Sequence, residues 1–344
     1  MKKKKAVVLL GFGGPSSREE IPTFLNRLFS DPCILPYPFL IRKVLAWLIV
    51  KRKLKNSVHN YGLIGGGSPY VEETLKQGKA LQKLLGEDFR VFCTMRYGPP
   101  FPEETMKDIA KFKPEDILLL PLYPHYSLTT TRSSFLAWDD CANRWGDARP
   151  THRVCCYPTH HGFVEAYTDR LSTALVKHDG GRDFRILFSA HALPVSFVKK
   201  GDPYCSHILL SFRAILEKLK ERGHGALDAR LCYQSAERGL VSWTGPSLKS
   251  EISKAAEDKK SVMVVPISFV CEHVETLYEL DIEAKEMAKN KGVERFVRIK
   301  TPSCHPLFIQ GLKGLVLENM RAPRVCSLDN KACWRASSLS SSQL

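Results

Sequence analysis

The chain has 344 residues, of which 44% are hydrophobic and 25% charged, with a formal net charge of +15. That balance belongs to a folded protein long enough for two domains, each burying its own core, and it excludes an intrinsically disordered chain. No run of about 18 uncharged apolar residues occurs, so a membrane-spanning protein is excluded as well.

The opening MKKKKAVVLLGFGG starts basic, but its apolar run is short and ends on glycines, so it reads as a first strand and not as a signal. The 11 cysteines at irregular spacings then point to a reducing cytoplasm. Apolar, β-branched runs predict strands over residues 6–10, 89–95, 117–122, 153–157, 185–189, 229–233, 262–269 and 296–299, with helical stretches between them. Strands alternating with helices predict an α/β fold of two doubly wound domains with parallel sheets. The expected domains are 1–160 and 161–304, followed by a helix over 305–320 and a polar, Ser-rich, disordered tail over 321–344.

The first strand runs into Gly11-Phe12-Gly13-Gly14-Pro15-Ser16, a turn able to cradle an anion at a helix start. It has neither the dinucleotide fingerprint nor a phosphate-loop lysine, so no nucleotide site is expected. From 33 to 55, CILPYPFLIRKVLAWLIVKRKLK mixes Phe39, Leu40 and Trp47 with six cations. The mixture suits a segment resting on an anionic membrane better than one reading nucleic acid, although an ordinary packed helix explains it equally well. A second glycine turn, Gly65-Gly66-Gly67, would let backbone approach a flat ligand. Arg96 and Tyr97 follow the second strand, and Tyr123, His125 and Ser127 follow the third. An arginine with tyrosines and hydroxyls at strand ends suits a flat aromatic ligand bearing carboxylates.

In the second half, the strand at 185–189 delivers His191 to its carboxyl end, where open α/β sheets bind ligands. Gln234, Ser235 and Trp243 follow the next strand. The buried run from 261 to 270 is expected to continue as one strand into an acidic helix, with Glu272 and His273 at its mouth. Glu275, Glu279 and Glu283 recur every four residues there, which stacks three carboxylates on one helix face with no lysine among them. Such a ladder beside His191 predicts a metal or proton path.

These residues resemble the ferrochelatases, which insert ferrous iron into porphyrin at the end of haem synthesis. The likeness runs through LLGFGGPSS, IGGGSP, RYG, LPLYPHYS, LFSAHALP, GDPY and PISFVCEHVETLYELDIE, covering most of the chain. It implies a bacterial, protoporphyrin-type enzyme of two Rossmann-like domains, like the type II chelatases, with a porphyrin cleft between them. It also implies that His191 is the active-site histidine and Glu275 its opposed carboxylate, both able to meet iron, with His273, Glu279 and Glu283 as the path. Arg96, Tyr97, Tyr123, Ser127 and Trp243 fall in stretches that line the family's pocket. The segment near Trp47 resembles the lip that touches membrane, which implies a cytoplasmic protein peripheral to the inner face. The partners are porphyrin and Fe2+ as substrates, with no nucleic acid, and the protein would be a monomer or homodimer. No prosthetic group is expected. Some members hold a [2Fe–2S] cluster on four cysteines, but Cys326 and Cys333 alone stand in this tail, so no cluster is expected. A non-catalytic haem carrier and a cobalt chelatase acting on a more carboxylated ring are the alternatives.

Overall fold

The longest apolar runs form inner strands because a parallel strand covered on both faces has no side left for polar residues. The computed structural model describes residues 3–237, 239 and 241–321. Cys326, Cys333 and the tail past 321 lie outside the described residues. The described residues divide into two units, one comprising 3–156 with 312–321, the other Tyr157–Gly311.

In the first unit, β1 (Lys5–Gly11), β2 (Phe89–Met95), β3 (Asp116–Pro121) and β4 (Thr151–Arg153) make one parallel sheet in the order β2-β1-β3-β4. Val7 of β1 stands between Val91 and Leu118. Helices α1 (Ile21–Ser30), α2 (Phe39–Leu63), α3 (Tyr70–Leu85), α4 (Pro102–Phe112) and α5 (Ser133–Arg144) accompany it. Ala6, Val8 and Leu10 face Met106, Ile109, Phe135 and Trp138 in one fully buried layer.

The second unit follows the same path. Here β5 (Phe184–His191), β6 (Asp228–Gln234), β7 (Ser261–Val265) and β8 (Phe296–Arg298) form a parallel sheet in the order β6-β5-β7-β8. Its helices are α6 (His161–Lys177), α7 (Val195–Lys199), α8 (Tyr204–Glu221), α9 (Leu248–Glu257), α10 (Val274–Leu277) and α11 (Lys285–Asn290). The last helix, α12 (Pro306–Arg321), is divided between the units at Leu312.

Two strands end earlier than their apolar runs predict, and proline explains both. β7 stops at Val265 because Pro266 has no N–H for the ladder; the next amide, Ile267, is shared between Ser189 O of β5 at 3.0 Å and the Val265 carbonyl at 2.9 Å. β4 occupies Thr151–Arg153 and not 153–157, because Pro121 at the end of β3 cannot donate to the following rung.

The glycine turns expected to approach a ligand are in part packed against protein, at Gly67 and Gly13, while Gly65 and Gly66 face open space. A Cβ on Gly67 would stand 2.3 Å from the Ser16 carbonyl oxygen, and one on Gly13, where φ is +86°, would stand 3.0 Å from the Gly98 nitrogen. Three loops at the carboxyl end of the first sheet are thus closed backbone to backbone. Gly67→Ala is expected to destabilise the protein by about 1–3 kcal/mol, the usual cost of overpacking. Chemical denaturation would show it as a lower midpoint with an unchanged slope, and an unaltered midpoint would refute the close contact.

Candidate active site

β5 is buried along its length and releases only its last residue, His191, whose side chain is 39% exposed. The ring is fixed from both sides. Its Nδ1 lies 2.7 Å from the Ala192 carbonyl, an acceptor only, so Nδ1 carries a proton and Nε2 turns toward Glu275 Oε1 at 3.4 Å. The loop following His191 is held by the strip around Trp243: Val195 N donates to Ser242 O at 2.9 Å and Thr244 N to Leu193 O at 3.0 Å.

Glu275 reaches this place from α10, a helix of one turn. His273 caps its start, with its amide on Thr276 Oγ1 at 3.0 Å and its Nδ1 3.1 Å from the Cys271 carbonyl. His273 Nε2 then stands 3.6 Å from Glu275 Oε2, so the carboxylate has one imidazole at each oxygen. Glu279 is held by the end of β6: Ser235 Oγ and Gln234 Nε2 donate to its Oε2 at 2.5 and 3.1 Å. Gln234 also donates to the Glu275 carbonyl at 2.8 Å, and its own Oε1 accepts from Ser189 Oγ at 2.8 Å.

The ladder of glutamates is broken where the sequence predicts continuity. After α10 the chain makes a π-helical turn, Glu279–Ala284, in which Glu283 N reaches back five residues to Tyr278 O at 2.9 Å. The extra residue in that turn shifts Glu283 out of line. Nor is the segment without cations, as its own residues suggest. Glu283, half-buried, pairs with Lys249 of α9 at 2.6 Å, and Glu272 pairs with Arg298 at 2.9 Å. Glu275 and Glu279 remain with His191 as the working group.

The three titrate differently for physical reasons. Burial disfavours the charged imidazole of His191, but the Glu275 charge outweighs it and raises the pKa to about 9. Burial opposes ionisation of Glu275 too, yet His191 and His273 hold its carboxyl well below the usual range. Glu279 has burial and the Glu275 charge acting in the same direction, and its pKa rises to about 7 despite Ser235 and Gln234. At neutral pH the site therefore holds an imidazolium, an ionised carboxylate and a carboxyl poised to exchange a proton. Among the described residues no three His, Cys, Asp or Glu side chains form a ready metal-holding group.

In the first unit Arg96, Tyr97 and Ser133 converge on one buried carboxylate, Asp31. Arg96 Nη2 and the Tyr97 hydroxyl donate to its Oδ2 at 2.6 and 2.8 Å, and Arg96 Nε donates to Ser133 Oγ at 2.6 Å. Tyr97 is fully buried. The arginine read as a receptor for ligand carboxylates is thus committed to an internal one, and Tyr97 offers no surface. Ser127, also buried, caps the π-helical turn Leu128–Arg132 by accepting from Thr129 N at 3.2 Å. Tyr123 and Trp243 are half-buried and keep part of their surface exposed. Asp31 was invisible to sequence reasoning, since nothing near it marks a lone aspartate as buried. Gln234 and Ser235 had a signal, their place at the end of a strand beside β5, but no spacing ties them to Glu279.

The family profile Ferrochelatase matches residues 4–320 of this chain. A ferrochelatase of Caulobacter vibrioides is 40% identical over 342 residues, covering 97% of this chain and 95% of the relative. One from Aquifex aeolicus is 38% identical over 315 residues, covering 91% and 98%. Among solved structures, SirB from Bacillus subtilis with Fe3+ superposes with a TM-score of 0.56 at 12% identity, covering 92% of this chain and 97% of that one. The sirohydrochlorin chelatase SirB from Bacillus subtilis subspecies spizizenii in complex with cobalt gives 0.53 at 11%, covering 93% and 97%. At those identities the likeness is one of fold.

Because Glu275 is what raises His191, removing its charge reverses the shift. By NMR, His191 is expected to titrate near 9 in the unliganded protein and, in Glu275→Gln, to fall markedly, since burial is then opposed only by the Glu279 charge and the Ala192 carbonyl. A His191 titration that Glu275→Gln leaves in place would exclude the pairing.

Proposed function

The chain belongs to the ferrochelatase family, and on that footing we propose that it inserts ferrous iron into protoporphyrin IX, forming protohaem in haem biosynthesis. The observation that carries the reading is a single carboxylate, Glu275, held between two imidazoles, with a second carboxyl, Glu279, raised to about 7 one turn farther on. Insertion exchanges a dication for two pyrrole protons, so the enzyme must accept a partly dehydrated ion and dispose of the protons.

Glu275 and His191 offer the ion one oxygen and one nitrogen, a set suited to ferrous iron. In the resting pair His191 keeps its proton because of the Glu275 charge. Iron arriving at Glu275 cancels that charge, and the His191 Nε2 proton leaves through Glu279 to solvent. The freed Nε2, the one nitrogen not protonated toward Ala192 O, then accepts a pyrrole proton, so it serves as ligand or as base but not as both at once. Glu279 and His273 pass protons or metal between the pair and solvent, with Glu279 the member whose pKa suits exchange at cellular pH; Glu283, out of line and paired with Lys249, is left out of the relay. Tyr123 in the first unit and Trp243 in the second, each partly exposed, are read as porphyrin contacts, while Arg96, Tyr97 and Ser127 brace the strand-end loops of the first unit. No prosthetic group takes part.

Helix α2 supports peripheral membrane contact. Of its residues only Ala46, Val50 and Tyr61 are buried, while Phe39, Leu40 and Trp47 are 66%, 74% and 58% exposed. Leu40, Val44, Trp47 and Leu48 recur at helical spacing on one face, with Arg42, Lys43, Lys51 and Arg52 around them. Among the described residues no helix is long and apolar enough to cross a membrane. This helix is read as resting on the anionic surface at the inner face, with its apolar stripe turned to lipid.

Anaerobic incubation with Fe2+ should abolish protoporphyrin fluorescence over many turnovers, faster than with coproporphyrin or with Co2+. Quenching that stops at one equivalent of protein would favour a carrier. His191→Ala and Glu275→Gln should each lower kcat by about 100-fold or more with little change in porphyrin affinity, and Glu279→Gln by less. Variants that turn over normally, or fail only in binding, would remove these residues from the chemistry.

Co-sedimentation with anionic vesicles is expected at low salt and should fade as salt rises, each Lys or Arg near the surface contributing about 1 kcal/mol. Replacing Leu40 and Trp47 with Ser should weaken it. Equal recovery with neutral and anionic vesicles would count against the contact.

A further inference from the structure

The acidic segment is fastened at both ends to one residue that touches none of the reacting groups. Arg298 ends β8 with its side chain only 8% exposed. Its Nη1 donates to both oxygens of Glu272 at 3.0 and 2.9 Å, while Nε and Nη2 donate to the two oxygens of Asp281 at 2.7 and 2.6 Å. Glu272 is fixed further, its Oε1 accepting from the Thr301 amide and hydroxyl at 2.9 and 3.0 Å. In the sequence Glu272 immediately precedes His273, and Asp281 sits in the π-helical turn two residues after Glu279. One planar cation therefore spans the stretch that carries His273, Glu275 and Glu279.

We propose that Arg298 is a positioning residue for metal insertion: its two-sided grip on Glu272 and Asp281 sets where His273, Glu275 and Glu279 stand relative to His191. A guanidinium addresses carboxylates through a rigid fork, so two bidentate partners on one group fix the distance and angle between the positions that bear them. A buried guanidinium with one largely buried and one half-exposed carboxylate is a poor way merely to stabilise a segment, because apolar side chains of similar volume do so at least as well where the charges are desolvated. What the charged trio provides is registration across a π turn, a geometry that helices adopt chiefly where a side chain must be placed. β8 pairs with β7, and β7 with β5, so the fork ties the segment to the sheet that carries His191.

The inference rests on the insertion reading, and Arg298→Lys tests it. Lysine keeps the charge but cannot grip two carboxylates bidentately. In steady-state iron insertion by the full chain, Arg298→Lys is expected to lower kcat about 10- to 100-fold while porphyrin KM and directly measured porphyrin affinity stay within about twofold. Arg298→Met should lose at least as much; if that variant does not fold, because two carboxylates are left unpaired, Arg298→Lys still decides. Wild-type kcat in Arg298→Lys, or a loss confined to porphyrin affinity, overturns the positioning role alone. Absence of turnover in the wild-type protein would overturn the insertion reading, and the positioning role with it.

Discussion

The electrostatics of the candidate site depend on keeping one carboxylate ionised in a place that discourages ionisation. Glu275 is only about a quarter exposed, its side chain at 26%, and burial alone would drive it toward the neutral acid. Two imidazoles prevent that, one at each oxygen. The charge so retained then dictates its neighbours: it holds a proton on His191 and keeps one close to Glu279. Three groups with ordinary pKa values spread over less than three units are moved far apart by one another, and a site with separate acid, base and anion results.

The scaffold serves this pairing by bringing it from two directions. His191 arrives rigidly at the end of a buried central strand, whereas Glu275 arrives on a one-turn helix that has little stability of its own. Short helices need external support, and here it comes from the cap at His273, from Gln234 beneath the Glu275 carbonyl, and from the Arg298 fork.

Much of this was legible in the residues, and the rest was not, for identifiable reasons. The strands were, because apolar runs such as that of β1 have a single use in an α/β chain; their ends were not, where Pro121 and Pro266 cut the ladder short. The place of His191 at the end of β5 was legible, because the apolar run before it can only be a buried strand. The spacing of Glu275 and Glu279 marked an acidic helix, but spacing assumes an α-helical period, and the π turn that turns Glu283 toward Lys249 depends on contacts with distant residues. Arg96 illustrates the opposite failure. A cation at a strand end resembles a ligand receptor, and only the fold discloses Asp31, 65 positions earlier in the chain, already occupying it.

In both units the strand made first lies inside the sheet, flanked by strands made second and third. For the second unit this has a temporal meaning during synthesis. When the ribosome has just finished β5, His191 exists but its surroundings do not; β6 covers one edge, and only β7, with Phe184 in register with Ser261, covers the other. Glu275 emerges a few residues later. The nascent chain therefore acquires a stable place for its histidine and the carboxylate that charges it within the same short span of translation, so a polypeptide interrupted before β7 would carry neither half of the chemistry in working form.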